Sequence, residues 1–212
     1  ESFRHWFGDL VTAESWSNLT VNERFADYSE YLWNEYKYGK DEADYKRIKS
    51  IRNSKADPKN FAKDLVRFNY NDREDMFDGV SYNKGGAILH MLRTYLGDEA
   101  FFAALTDYLK TNEYGTGEAH QLRLSFEKVS GKDLNWFFNQ WYFGSGYPKL
   151  EVKSSYDAMK KQVTVSIAQT QDQKFEFPLA IDILENGKLT RKNVWVAASS
   201  KNDFFFDAAK NP

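Results

Sequence analysis

The sequence contains no cysteine, which excludes disulfide bonds and thiolate metal sites and leaves the compartment undecided. It has no apolar run near the roughly 20 residues that a membrane-spanning helix needs, and no targeting segment is recognisable. Its formal net charge is -2, so it offers no basic field to recruit nucleic acid or anionic lipid. These absences predict a soluble protein without a membrane span or a nucleic-acid partner, either cytoplasmic or periplasmic/secreted.

Aromatic residues are abundant, at 17% of a 212-residue chain that is 42% hydrophobic and 28% charged. Many apolar residues recur at the three- to four-residue spacing of a helix that faces a core, as do Phe25, Tyr28, Leu32 and Tyr36. We therefore predict helices that meet in a large aromatic core. Asn22 fits the N-cap of one helix and Gly39 its C-cap. The charged helix expected over residues 41–54 is predicted to be a solvated face.

The periodicity changes at Gly144-Ser-Gly-Tyr-Pro148. Beyond this point apolar residues alternate with polar ones, which is the pattern of half-buried strands. Asn186-Gly187 is a strong signal for a two-residue β-hairpin. We therefore predict an α+β fold, in which residues 1–148 form a helical domain and residues 149–212 form a small antiparallel β-sandwich of about five strands.

The first 26 residues contain the strongest motif. They include Glu1-Ser-Phe-Arg-His-Trp-Phe-Gly-Asp9 and, further on, Asn22-Glu-Arg-Phe-Ala26. In the helical pattern His-Glu-x-x-His, two histidines on one helix face bind zinc, and the glutamate between them serves as general base. If Glu1 is that glutamate, the second histidine falls at position 4, where this chain has an arginine.

These stretches resemble the M1 family of zinc aminopeptidases, which are gluzincins with the pattern His-Glu-x-x-His-x-Trp-Phe-Gly-Asp followed by Asn-Glu-x-Phe-Ala. The resemblance implies zinc as the cofactor and peptides or protein N-termini as substrates. The family's third zinc ligand is a glutamate 19 positions after the second histidine, and counting from Arg4 gives Glu23. By resemblance, Glu1 is the catalytic base, Glu23 is a metal ligand, and Arg4 occupies the position of a histidine ligand.

Arg4 is the main departure from the family pattern. A guanidinium stays protonated at any relevant pH and has no lone pair for a metal. We predict a salt bridge from Arg4 to Glu23 or Glu1. His5 is a poor substitute ligand, because one residue along a helix is about 100° of rotation and turns its ring off the zinc face.

A second segment, Phe77-Asp-Gly-Val-Ser-Tyr82-Asn-Lys-Gly85, is similar to the part of M1 enzymes that carries a catalytic tyrosine. The resemblance implies that the Tyr82 hydroxyl donates to the oxyanion, a task suited to a neutral, fixed O–H group near a polarised carbonyl. His90 and His120 have no partner at metal-ligand spacing, and we predict structural roles for both.

The resemblance implies a portion of a zinc-dependent aminopeptidase that hydrolyses N-terminal peptide bonds. The family's N-terminal β domain and its Gly-x-Met-Glu-Asn segment, which binds the free amine of the substrate, are not in this sequence. Because Arg4 also replaces a ligand, we predict weak or absent zinc binding and no peptidase activity for this chain.

Two alternatives stay open. The chain could be a catalytically dead peptidase-like module that binds peptides or protein partners. Both Arg4 and Arg24 favour this alternative, since the family usually has a small residue at position 24. A related glutamate-zincin with a different accessory domain is the other alternative, which Trp6-Phe7-Gly8-Asp9 and the Tyr82 segment disfavour.

Overall fold

The computed structural model describes residues 2–55, 62–77 and 84–209. It contains two compact units, Glu1–Gly146 and Tyr147–Pro212. The first is mainly helical and the second consists of antiparallel strands, so the fold class is the predicted α+β. The assignment of residues 1–148 and 149–212 to two domains stays a prediction.

Seven α-helices are described in the first unit. They are α1 (Ser2–Trp6), α2 (Thr20–Tyr38), α3 (Lys40–Lys55), α4 (Gly85–Leu96), α5 (Asp98–Asn112), α6 (Ala119–Ser130) and α7 (Asn135–Trp141). Short 3-10 turns cover Trp16–Asn18 and Arg73–Met76. Two strands that the sequence pattern did not predict, β1 (Val11–Ala13) and β2 (Gly115–Gly117), pair in parallel.

The helix ends differ from the predicted ones in an informative way. Asn22 does not cap α2, because the preceding 3-10 turn leads into the helix through Leu19, whose backbone is already helical. Gly39 is confirmed as the C-cap, with φ of 90° and an N–H that donates to the Glu35 carbonyl. A glycine is needed there because this φ is unfavourable for other residues.

The helices of the first unit meet in the predicted aromatic core. Phe7 stacks on Phe25 with ring centroids 4.2 Å apart, and Tyr108 lies 6.2 Å from Phe7 on a nearly parallel plane. The fully or almost fully buried aromatic residues include Phe7, Phe25, Tyr28, Phe101, Tyr108, Phe126, Phe137, Phe138 and Tyr142. Burial of one such side chain contributes roughly 1.5–3 kcal/mol, so together these rings are a large part of the hydrophobic stabilisation of the unit.

In the second unit, residues 147–209 are described and contain five strands in two sheets. The strands are β3 (Leu150–Asp157), β4 (Gln162–Gln169), β5 (Phe177–Glu185), β6 (Lys188–Val196) and β7 (Lys201–Asp207). The order is β3-β4-β7 in one sheet and β5-β6 in the other, and all neighbours are antiparallel. The predicted hairpin at Asn186-Gly187 is confirmed, since these residues join β5 to β6 with φ of 52° and 76°.

A buried glutamine links the two sheets of this unit. The Gln169 amide nitrogen donates to the carbonyl oxygens of Phe175 (2.7 Å) and Ala197 (3.2 Å). Its side-chain oxygen accepts from the Phe175 N–H at 2.9 Å. The side chain therefore satisfies main-chain groups that would otherwise be buried without partners.

Among the helices that the structure describes, none combines the length and the apolar character needed to cross a bilayer.

Candidate metal site

The packing of α1 against α2 brings the first motif together. Phe7 follows α1 directly and stacks on Phe25, which lies in the second turn of α2. Arg4 lies three residues before Phe7, and Glu23 lies two residues before Phe25. The buried stack therefore holds the side chains of Arg4 and Glu23 on facing elements at the surface of the unit.

Of the two salt bridges predicted for Arg4, to Glu23 or to Glu1, the one to Glu23 is confirmed. Arg4 Nη2 donates to Glu23 Oε2 at 3.4 Å. The Glu23 side chain is only 14% exposed, whereas that of Arg4 is 55% exposed. A mostly buried carboxylate is thus accompanied by a protein cation at the position where the family pattern implies a metal.

His5 belongs to a different surface. Its Nδ1 lies 2.8 Å from Asp9 Oδ2, and both side chains are 73% exposed. The one-residue offset from Arg4 turns the imidazole away from Glu23, as the helix geometry predicts. His5 consequently does not join Glu23 in a common site.

The described residues do not fit a zinc ion. A zinc peptidase site needs three protein ligands and an open position for water. In the described part of the chain no group of three histidine, aspartate or glutamate side chains converges. Glu23 contributes one carboxylate, and its neighbour Arg4 cannot act as a ligand. The proposed catalytic residues Glu1 and Tyr82 lie outside the described residues, so their roles stay predictions.

Lys84, at the start of α4, has a role that the sequence did not reveal. It is 3% exposed, and its Nζ donates to the carbonyl oxygens of Gly144 (2.8 Å) and Lys63 (3.3 Å). Burial lowers the pKa of its ammonium group to about 8. The Lys84 ammonium group therefore joins the start of α4 by hydrogen bonds to two loops that are distant in sequence.

Arg24 and Gly85 are fitted to each other where α2 crosses α4. The Arg24 side chain is 1% exposed, and its Nε donates to Thr20 Oγ1 at 3.3 Å. A Cβ placed on Gly85 would collide with Arg24 Cδ and lie 2.6 Å from Cγ. The arginine therefore occupies its position only because residue 85 has no side chain.

Asp27 on α2 and His90 on α4 also have strongly shifted pKa values. Burial raises the pKa of the Asp27 carboxyl to about 6, and Glu30 and Glu23 add to the rise while Arg24 opposes it. Burial lowers the pKa of the His90 imidazole to about 4, and the nearby cations Arg47, Lys40 and Arg93 lower it further against the opposing charge of Asp44. His90 Nδ1 lies 3.1 Å from the Tyr28 hydroxyl, inside the aromatic cluster.

These two groups oppose each other in the pH dependence of stability. The folded state holds the Asp27 proton more tightly than the unfolded chain, so its contribution is present at low pH and is lost as the pH rises towards 6. The His90 contribution is present above pH 6.5 and is lost as the pH falls towards 4. In the unaltered protein, the changes in unfolding free energy with pH that the two groups cause therefore partly cancel.

We expect the Asp27→Asn variant to show the pH dependence of stability that His90 contributes, because the opposing contribution of Asp27 is removed. Because Asp27 keeps some access to solvent, we expect a moderate gain in the free energy of unfolding at pH 7, about 1–2 kcal/mol. Between pH 7 and pH 4 the variant should lose about 1–2 kcal/mol more stability than the unaltered chain loses. Urea denaturation across pH 4 to 7 measures this. Asp172→Asn, at an exposed position of the second unit, is the control. Parallel pH curves for Asp27→Asn and the unaltered protein would contradict the expectation.

Comparison with known proteins decides the family. A model described as the peptidase family M1 domain matches residues 1–141. This chain belongs to peptidase family M1. Zinc is the metal of that family, and the M1 chain has Arg4 beside the carboxylate of Glu23.

Three relatives illustrate the extent of the likeness. Aminopeptidase M1-C of Oryza sativa subsp. japonica is 31% identical over 161 residues, which cover 72% of this chain and 18% of the rice protein. Aminopeptidase A of Legionella pneumophila, solved in complex with aspartic acid, matches with a TM-score of 0.80 and 24% identity over 100% of this chain and 24% of that one. An M1 zinc metallopeptidase mutant of Deinococcus radiodurans, bound to a Tyr-Ser-Ala substrate, matches with a TM-score of 0.59 and 27% identity over 69% of this chain and 32% of that one.

The M1 chain thus spans less than a third of each of these relatives. The likeness to the Legionella structure concerns the fold, because the identity is 24%.

Proposed function

We propose that this chain is a portion of an M1 metallo-aminopeptidase in which Arg4 replaces a zinc-binding histidine. As it stands, the chain neither retains zinc firmly nor hydrolyses peptides. The observation that supports this proposal is the 3.4 Å contact between Arg4 Nη2 and Glu23 Oε2. The carboxylate that corresponds to a family ligand is neutralised by a guanidinium, so it gains little from a metal.

Electrostatics supports the same proposal. Two unit charges of like sign about 4 Å apart repel by about 1 kcal/mol at the dielectric constant of water, so a divalent ion beside Arg4 costs at least about 2 kcal/mol. Glu23 is mostly buried, which raises this cost because screening is weaker there. The resemblance assigns Glu1 as the base and Tyr82 as the oxyanion donor, and both assignments belong to this proposal.

Metal analysis and an activity assay test the proposal together. After zinc loading and dialysis, we expect the unaltered chain to retain far less than one zinc per molecule and to release no product from a fluorogenic aminoacyl substrate. Stoichiometric zinc with turnover would refute the proposal.

Matched variants at position 4 separate charge from ligation. Arg4→His removes the cation and adds an imidazole nitrogen, so we expect zinc affinity to rise more than about tenfold. Arg4→Gln removes only the charge and should give a smaller rise, whereas Arg4→Lys should give none. Equal affinities for all four proteins would show that position 4 does not govern the metal.

A second candidate function is a catalytically dead module that binds peptides or protein partners. The observation that favours it is the burial of Arg24 against Gly85, because the family pattern usually has a small residue at position 24. Incubation with a fluorescent peptide followed by mass spectrometry distinguishes the two functions. A peptide that is bound and recovered intact supports the binding module, and a peptide shortened from its N-terminus supports an enzyme.

A further inference from the structure

A polar cavity lies between α2, α3 and the start of α4. Its volume is about 210 Å³, which is large enough to hold several water molecules. The residues that line it include Asp27, Glu30, Asn34, Lys46, Arg47 and Ala87. None of these residues belongs to the Arg4–Glu23 pair, and Asp27 lies one helical turn beyond Glu23 on α2.

One wall of the cavity is acidic. Asp27 and Glu30 lie three residues apart on α2 and therefore on the same face of that helix. Asp27 is half-buried, and no hydrogen bond or ion pair joins its carboxylate to another residue that the structure describes. Its raised pKa, about 6, reflects this loss of water without a bonded cation in return.

The backbone of α4 approaches the acidic wall closely. A Cβ placed on Gly86 would lie 3.0 Å from Asp27 Oδ2. The glycine therefore leaves room beside the carboxylate, and Gly86 and Ala87 give the cavity a small-residue edge.

The facing wall is basic and comes from α3. Arg47 Nε is buried and makes no hydrogen bond within the described part of the chain. The Arg47 guanidinium lies 5.9 Å from the Tyr31 ring centroid and 3.6 Å from Asp44 Oδ1, which restricts its orientation. Lys46 Nζ is anchored by Asn34 Oδ1 at 2.7 Å.

We propose that this cavity binds a small zwitterion of the α-amino-acid class, with its ammonium group at Asp27 and its carboxylate at Arg47. A simple anion would meet the carboxylates of Asp27 and Glu30, and a simple cation would meet Lys46 and Arg47. An apolar ligand would cover these charged groups without pairing them, at a substantial desolvation cost. A metal ion lacks a set of three ligating side chains in the described residues.

The inference goes beyond the proposed function, since it requires neither zinc nor hydrolysis. The ammonium group of the ligand donates to the Asp27 carboxylate, which makes no hydrogen bond or ion pair to another described residue. The carboxylate of the ligand accepts from the Arg47 guanidinium, whose side chain is 26% exposed. Charge-assisted hydrogen bonds of this kind are stronger than neutral ones. Because the cavity is small and open to solvent, we expect a Kd on the order of 1 mM for a small amino acid.

NMR titration of the full chain with L-alanine, in buffer containing a chelator, tests the proposal. We expect saturable shifts of the Gly86, Ala87 and Ala43 amides, which line the cavity. Acetate or methylammonium alone should bind at least about tenfold more weakly, because each satisfies one wall only. Shifts centred on Arg4 and Glu23 instead would place the amino acid at the candidate metal site and overturn the inference.

Variants complete the test. Asp27→Asn and Arg47→Gln should each weaken L-alanine binding at least tenfold, whereas Lys49→Gln, at an exposed position of α3, should leave it unchanged. Circular dichroism melting verifies that each variant is folded. Equal binding by Asp27→Asn and Lys49→Gln, or no saturable shift in the unaltered chain, would refute the site. Neither result bears on zinc retention, which is measured separately.

Discussion

Replacing Phe7 by alanine is expected to lower the free energy of unfolding by about 3–5 kcal/mol. Phe7 is 3% exposed, and its ring stacks on Phe25 at 4.2 Å and faces Tyr108 at 6.2 Å. The substitution removes an aromatic ring from a core that cannot fully close around the space. It also removes the stack that places Arg4 beside Glu23.

Urea denaturation measures this loss, and Trp6→Ala is the matched control. Trp6 is the neighbouring residue and a larger aromatic, but it is 57% exposed. Its replacement should change stability by about 0.5 kcal/mol or less. Similar losses for the two variants would show that α1 is not held by the Phe7 stack.

Gly85→Ala is expected to destabilise the protein by about 2–3 kcal/mol, opposite in sign to the usual effect of this change in a helix. Gly85 is the first residue of α4, and alanine is favoured over glycine in helices, by about 1 kcal/mol in a helix interior. Here the new Cβ would overlap the buried Arg24 side chain. The arginine cannot move aside easily because it is 1% exposed and its Nε donates a hydrogen bond to Thr20 Oγ1.

A double-mutant cycle with Arg24→Ala tests whether the clash is the cause. In the Arg24→Ala background the space over residue 85 is open, so Gly85→Ala should be neutral or slightly stabilising. The expected coupling between the two positions is about 2–3 kcal/mol. Additive effects would mean that Gly85 is required for another reason, such as its backbone conformation.

Some of the candidate site could be predicted from the sequence, because the information is local. The sequence predicted an ion pair from Arg4 to Glu23 or Glu1, and the structure shows the pair with Glu23. The rings that bring these two residues together, Phe7 and Phe25, lie in the same two motif stretches. The turn at Asn186-Gly187 was equally predictable, since both residues tolerate positive φ.

Other features depend on contacts between distant residues and left no local signal. Strands β1 and β2 are three residues each, and β2 contains two glycines, so no alternation marks them. Lys46 and Arg47 looked like part of a solvated helix face, yet they form one wall of a cavity with α2. Asn22 resembled an N-cap, but the preceding 3-10 turn moved the helix start to Thr20.

The glutamine that joins the sheets of the second unit has a consequence for how that unit opens. Gln169 bonds to Phe175, which precedes β5, and to Ala197, which follows β6, while its own backbone belongs to β4. If the sheets separated, this side chain and its main-chain partners would lose their hydrogen bonds. Amide protons on both sheets should therefore exchange with solvent through one shared opening event, rather than strand by strand.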